Sequence, residues 1–276
     1  MAQPFRVLAH NGEINTLRGN ANFMRSHEAS FTCDAFKGVE ADLVPVIPEN
    51  TSDTGALDAV MEILSRAGRA LPLAKLILMP PAWSKNKELP QQHRDLLGCC
   101  NAISEPWDGP AAIAATDGEW VMAGTDRNGL RPMRYLITRD GLLICASESG
   151  MVQVEEEEVL ERGRLGPGEM IGVNLLQQKL YHDHALKDFL ASERPYAAWV
   201  EKTILLREVV QQRRSKKRVP LPPQTLLQHQ RAAGLTMEFV ETIIHPMAVD
   251  GKEAVGSMGD DAPMAVLSHE VRPFHH

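Results

Sequence analysis

Residues 111–146 read AAIAATDGEWVMAGTDRNGLRPMRYLITRDGLLICA. Four short strand-like runs stand out within them: Ala111 to Thr116, Trp120 to Gly124, Met133 to Thr138 and Leu142 to Ala146. Between the runs lie Asp117-Gly118, Asn128-Gly129 and Asp140-Gly141, pairs that favour tight turns because Asn, Asp and Gly tolerate positive φ. The pattern predicts an antiparallel meander.

Upstream, residues 4 to 10 alternate, with Phe5, Val7 and Ala9 on one face and Arg6, Leu8 and His10 on the other, ahead of Asn11-Gly12. This predicts a strand entering a tight turn. Ser52-Asp53-Thr54 then precedes Leu57, Val60, Met61 and Leu64 at helical spacing, so a helix of about three turns is expected to start near Asp53 behind a good cap. Downstream, Glu155 to Glu158 is a solvated charge run, and Gly163 to Gly168 breaks the chain. A helical stretch over Trp199 to Gln212 leads into the basic run Arg213 to Arg218 and a proline-rich segment ending at Pro223. A basic run beside prolines in an acidic chain reads as a linker rather than a nucleic-acid patch. The expected organisation is a first domain over 1–212, a linker over 213–223 and a second segment over 224–276, where Thr236 caps a helix carrying Val240, Ile243, Ile244 and Met247 on one face.

Bulk properties narrow the class. A chain of 276 residues makes one large domain or two modest ones. Its apolar fraction of 43% and charged fraction of 24% are those of soluble globular proteins and exclude disordered, collagenous and membrane classes. The formal charge of -7 argues against a general binder of nucleic acid. Cys33, Cys99, Cys100 and Cys145 form no C-x-x-C pair and no zinc spacing, and read as reduced and mostly buried. With no signal-like or membrane-length apolar run, the chain reads as cytoplasmic.

Asn11-Gly12 alone would be an ordinary turn signal. It recurs in company, in the order His10-Asn11-Gly12-Glu13, Ser52-Asp53, Asp126 to Pro132, Ser147-Glu148 and Leu165 to Met170. Together these resemble the class II glutamine amidotransferases. Four further stretches are similar to glutamate synthase: Leu8 to Thr16, Pro80-Pro81-Ala82-Trp83, Glu105 to Ala111 and Glu253 to Asp261, the last of which matches the start of that family's central domain. The resemblance spans nearly the whole chain. It implies an α+β fold of the N-terminal-nucleophile hydrolase type, an incomplete four-layer αββα sandwich, followed by a short α/β segment. It implies that Asn11 and Gly12 supply the side-chain and backbone N–H donors of an oxyanion hole, and that Asp53 receives the α-ammonium of L-glutamine, a reading favoured over that of a carboxylate which simply favours a helix start. Asp126 to Pro132 is expected to be structural, with Arg127 and Arg131 available to carboxylates.

The family's nucleophile is an N-terminal cysteine whose own α-amine acts as base. Residue 2 is Ala2, and the cysteines lie inside the chain. The family's arginine for the substrate α-carboxylate likewise belongs upstream of Ala2-Gln3-Pro4-Phe5-Arg6. The resemblance therefore implies the glutaminase portion of a glutamate synthase without its nucleophile, with an inactive fragment or glutamine-binding module as the alternative. No cofactor and no metal are expected in this chain, the full-length family using FMN, an iron-sulfur cluster and NAD(P)H or ferredoxin. The implied partners are L-glutamine and the remainder of a glutamate synthase or its small subunit, without nucleic acid or membrane. Such a piece is expected to be poorly stable alone, with an unpaired strand edge.

Overall fold

The structure, a computed structural model, describes residues 5–204, 206–209 and 219–256. The chain divides into two compact units, Met1–Ile204 and Leu205–His276. In the first unit the chain runs through β1 (Leu8–Gly12), α1 (Leu17–Glu28), α2 (Asp53–Arg66), α3 (Leu71–Leu78) and α4 (Gln91–Ile103). It continues through β2 (Ala111–Thr116), β3 (Trp120–Thr125), β4 (Arg134–Thr138), β5 (Leu143–Ala146), β6 (Val159–Arg164), β7 (Met170–Asn174) and β8 (Lys179–Tyr181) to α5 (Asp183–Ser192) and α6 (Tyr196–Val200).

The strands form two antiparallel sheets, one of five strands in the order β1-β2-β3-β7-β8 and one of three in the order β5-β4-β6. The four runs expected in the central stretch are all strands, but they do not make one meander. β2 and β3 pair in the first sheet, β4 and β5 in the second, and the Asn128-Gly129 turn carries the chain across between sheets. Asp117-Gly118 and Asp140-Gly141 do close hairpins, and Gly118 and Gly141 take φ of +93° and +92°, where glycine alone is unstrained.

Side-chain alternation along the first sheet builds the layers. Ala111, Ile113, Ala115, Trp120, Met122, Met170 and Tyr181 join one core with Leu57, Met61, Leu76, Leu78, Leu96, Leu97, Leu186 and Leu190 from the helices. The intervening Ala112, Ala123 and Ile171 point the other way and meet Met133, Tyr135, Leu143 and Cys145 at the second sheet. The first unit is therefore an α+β arrangement of helices, large sheet and small sheet.

Several local expectations change. Leu8 and Val7 are both buried while Ala9 is exposed, because β1 starts only at Leu8, after a segment held by a side chain of α2. Gly163 lies within β6 rather than at a break, opposite Tyr135, whose ring occupies the space a side chain would need. The helix expected over Trp199 to Gln212 is interrupted: α6 ends at Val200, and a separate turn of helix spans Leu206–Val209 in the second unit. Residues 210–218, with the basic run, lie outside the described residues.

α2 begins as expected. The Ser52 hydroxyl accepts from the Gly55 N–H at 3.1 Å, and the helix continues for 14 residues. α3 gave no periodic signal, since seven of its eight residues are buried and its sequence is apolar on all sides apart from Lys75. In the second unit, Pro223–Ala232 is helical. Thr236 caps Met237–Phe239, accepting from the Phe239 N–H at 3.1 Å, and the chain winds through a π-helical segment, Val240–Ile244, into His245–Asp250. The wider turn shifts the helical phase: Val240 and Ile243 are half-buried, whereas Ile244 and Met247 are exposed.

Candidate functional site

Asn11 and Gly12 do not make a hairpin turn. They are the last two residues of β1, paired with Ala112 and Ala111. Glycine is required at this point: a Cβ on Gly12 would sit 1.8 Å from the Pro110 carbonyl oxygen, and its φ is +151°. Gly109 answers it from the segment leading into β2, where a Cβ would lie 2.0 Å from the Glu13 oxygen. Two facing glycines thus let the backbones close, and Glu13 N–H donates to Pro110 O at 2.9 Å.

The ladder's parity determines what Gly12 can offer. Thr116 N–H donates to Val7 O at 2.8 Å at one end, and Glu13 to Pro110 at the other, so the odd residues of β1 exchange hydrogen bonds with β2. The N–H groups of Leu8, His10, Gly12 and Ile14 point out from the sheet edge. Two of these are taken by carboxylates of α2: Leu8 N–H donates to Asp58 Oδ1 at 3.0 Å and Ile14 N–H to Asp53 Oδ2 at 2.8 Å. None of the described residues accepts from Gly12 or His10. The exposed Asn11 shares its sheet face with Ala112, the face turned towards the second sheet.

Asp53 therefore stands where the start of α2 meets the end of β1. Beside it, His10 Nδ1 lies 2.9 Å from Thr54 Oγ1, while His10 Nε2 is buried without a partner among the described residues. Burial lowers the His10 pKa, opposed by the Asp53 charge and assisted by Arg131, which favours a neutral ring. The three residues singled out from sequence, Asn11, Gly12 and Asp53, are brought to one corner of the sheet.

The other motif stretches interlock around that corner. Asp108 O accepts from Asn15 N–H at 2.8 Å, and the Asp108 carboxylate pairs with Arg127 at 2.7 Å. Asp126 is buried; its carboxylate accepts from Ala111, Asn128 and Leu130 N–H at 2.8 to 3.1 Å, and its carbonyl accepts from Gly129 and Gly168. Pro167 lies against Gly129, and Thr125 Oγ1 donates to Gly166 O at 2.6 Å. The two connections that cross between the sheets, β3 to β4 and β6 to β7, are thus tied together. Ser147 and Glu148 follow β5, with Glu148 exposed.

Sequence reasoning missed Asp58. It accepts from the N–H groups of Arg6, Val7 and Leu8 at 2.9 to 3.0 Å and is buried. The signal available was an acidic residue directly after Leu57 inside the apolar arc of a helix. Lys75 was also missed. It is fully buried on α3, with one bond of 3.4 Å from Nζ to Gly168 O, and desolvation lowers its pKa to about 7, with the neighbouring Lys187 adding.

Cys99, Cys100 and Cys145 offer no activated thiol. Burial raises the Cys99 pKa, pushes Cys100 up to about 12 and pushes Cys145 up to about 11, and the thiolate is the nucleophilic form. All four cysteines are free thiols. No helix among the described residues is long and apolar enough to cross a membrane.

A profile of the class-II glutamine amidotransferases matches residues 1–199, and a profile of the glutamate synthase central domain matches residues 228–276. The chain is 54% identical, over 100% of its length, to the glutamate synthase (NADPH) large chain of Azospirillum brasilense. It is 42% identical, over 99% of its length, to the ferredoxin-dependent glutamate synthase 2 of Synechocystis. It spans 18% of the length of each of these relatives. A solved glutamine aminotransferase class-II domain protein from Silicibacter pomeroyi aligns with a TM-score of 0.35 and 16% identity, covering 66% of this chain and 70% of that one, a likeness too low to bear on the fold.

Proposed function

Since the chain belongs to the class-II glutamine amidotransferases, we propose that it is the part of a glutamate synthase that positions L-glutamine for hydrolysis and holds the developing oxyanion. The single observation that carries this reading is the open edge of β1. There the Gly12 N–H points away from the sheet beside the exposed Asn11, a few residues from the Asp53 carboxylate.

Attack of a thiolate on the glutamine side-chain amide moves an electron pair onto the amide oxygen. Two donors that already point at that position stabilise the charge without reorganising. In this reading the Gly12 N–H is one and the Asn11 side-chain amide the other. Asp53 accepts the α-ammonium of the substrate while the Ile14 N–H holds its carboxylate in place. Asp126 and Arg127 keep the Gly109-Pro110 segment against Gly12 and do not touch substrate.

Burial holds Cys99, Cys100 and Cys145 protonated, so none of these three is read as the nucleophile, whose place in the family is an N-terminal cysteine. A second reading, a glutamine-binding module without catalysis, is favoured by the same raised thiols.

The test is ammonia release from L-glutamine by the full chain, alone and mixed with a separately produced cysteine-led segment from a related glutamate synthase. The expected result is background release alone and thiol-sensitive release on mixing, reduced by about 100- to 1000-fold in Asn11→Ala. Thiol-sensitive release by the chain alone would overturn the assignment of the nucleophile. Absence of release on mixing, with L-glutamine still bound, would favour the binding module.

A further inference from the structure

α5 packs against β7 and β8, at the end of the large sheet opposite the β1 edge, and α4 packs against α5. Where they meet, three side chains converge. His184 and Asp188 are four residues apart on α5 and so share a face, with His184 Nδ1 at 3.0 Å from Asp188 Oδ2. From the first turn of α4, His93 directs Nε2 to the other oxygen of the same carboxylate at 2.8 Å. Gln92 Nε2 donates to that oxygen as well, at 2.6 Å.

We propose that His93, His184 and Asp188 form a binding site for a divalent transition-metal ion of the zinc class, independent of the glutamine site.

Distance, chemistry and access each support it. The donor atoms of the three residues lie within 4.8 Å of one another. Around a tetrahedral zinc with bonds of about 2.1 Å, ligand atoms stand roughly 3.4 Å apart, so rotamer adjustments of about an ångström close the set. Two imidazoles and one carboxylate are the donors that zinc, cobalt and nickel accept, and three protein ligands leave a fourth position for water. The set is carried by two packed helices rather than by loops, and the Gln92 amide holds the carboxylate as an outer partner. Access is graded: the His93 side chain is 1% exposed, Asp188 39% and His184 70%, so an ion can enter from the His184 side and meet a fixed, buried nitrogen.

His93 Nε2 and His184 Nδ1, which face Asp188, are the nitrogens that would ligate the ion, with the ring proton on the other nitrogen of each ring. Hydrogen bonds from His93 and Gln92 hold the Asp188 carboxylate in place between the two histidines. Among the described residues this is the one cluster of histidine, cysteine or carboxylate groups with metal-ligand spacing.

The experiment is a titration of the full chain with ZnCl2 against a chromophoric chelator, with Co2+ absorption in the visible range as a second readout. His275 and His276 also attract zinc, so every protein carries alanine at both positions. The expected result is one equivalent bound by this parent and, in His184→Ala, binding at least about 100-fold weaker, since loss of even an outer-shell partner costs about 10- to 100-fold. Asp188→Asn, which keeps an acceptor for His93, is expected to lose the cobalt bands while melting cooperatively. Zinc bound no more tightly by the parent than by His184→Ala would overturn the proposal, as would cobalt bands unchanged in Asp188→Asn.

Discussion

Both ends of β1 are tied to α2 by an aspartate, but the two aspartates do different work. At the start of the strand, Asp58 is buried and takes three backbone N–H groups, from Arg6, Val7 and Leu8. At the end, Asp53 takes one, from Ile14, and stays partly open to solvent beside Asn11 and Gly12. A carboxylate accepts about four hydrogen bonds. Asp58 has spent most of that capacity on the fold, whereas Asp53 leaves most of it open, the capacity that the proposed function assigns to the substrate ammonium.

The largest expected effect is at the anchor. Asp58→Ala strands three backbone donors and should lower stability by about 4 kcal/mol, read from urea unfolding, because each bond to a charged acceptor is worth about 1.5 to 3 kcal/mol and the bonds are not additive. Next is Gly12→Ala, which drives a methyl group into the Pro110 carbonyl and should cost about 3 kcal/mol by the same measurement, with ammonia release on mixing also lost.

Lys75 extends the contrast to a charge that is buried yet barely satisfied. Its folded pKa of about 7 lies below the unfolded value of 10.5, so between these values the unfolded chain binds more protons and stability rises with pH. Lys75→Met should therefore raise stability by about 2 kcal/mol at pH 7 or below, a gain that shrinks towards pH 10. A melting-temperature series over that range reads the slope, and an unchanged slope in Lys75→Met would remove Lys75 as its source. The smallest stability effect is at the site itself: Asp53→Asn retains an acceptor for Ile14 and should cost less than about 1 kcal/mol. It should nevertheless abolish most binding of L-glutamine in calorimetry on the mixed system. If Asp53→Asn destabilised as much as Asp58→Ala, the two ends of β1 would be equivalent anchors and the contrast would fail.

Much of this was legible in the chain. The Ser52 cap, the apolar spacing from Leu57 to Leu64 and the glycine turns at 118 and 141 act within a few residues, and the structure realises all of them. Motif order located Asn11, Gly12 and Asp53. α3 was not legible, because a helix buried on every side has no period, and neither was the end of α6 at Val200.

The sequence alone determined the four central strands, the start of α2, the turns at 118 and 141, and which family's residues the chain carries, since capping, alternation and turn chemistry are interactions between near neighbours. Only the tertiary structure decided that β3 and β4 belong to different sheets, that Asn11-Gly12 closes a strand instead of turning it, and that Asp58 anchors while Asp53 stays open. Those outcomes depend on which distant strand supplies the partner and which backbone groups are left over once the ladder has formed, and hydrogen-bond parity at a sheet edge exists only after β2 has docked on β1.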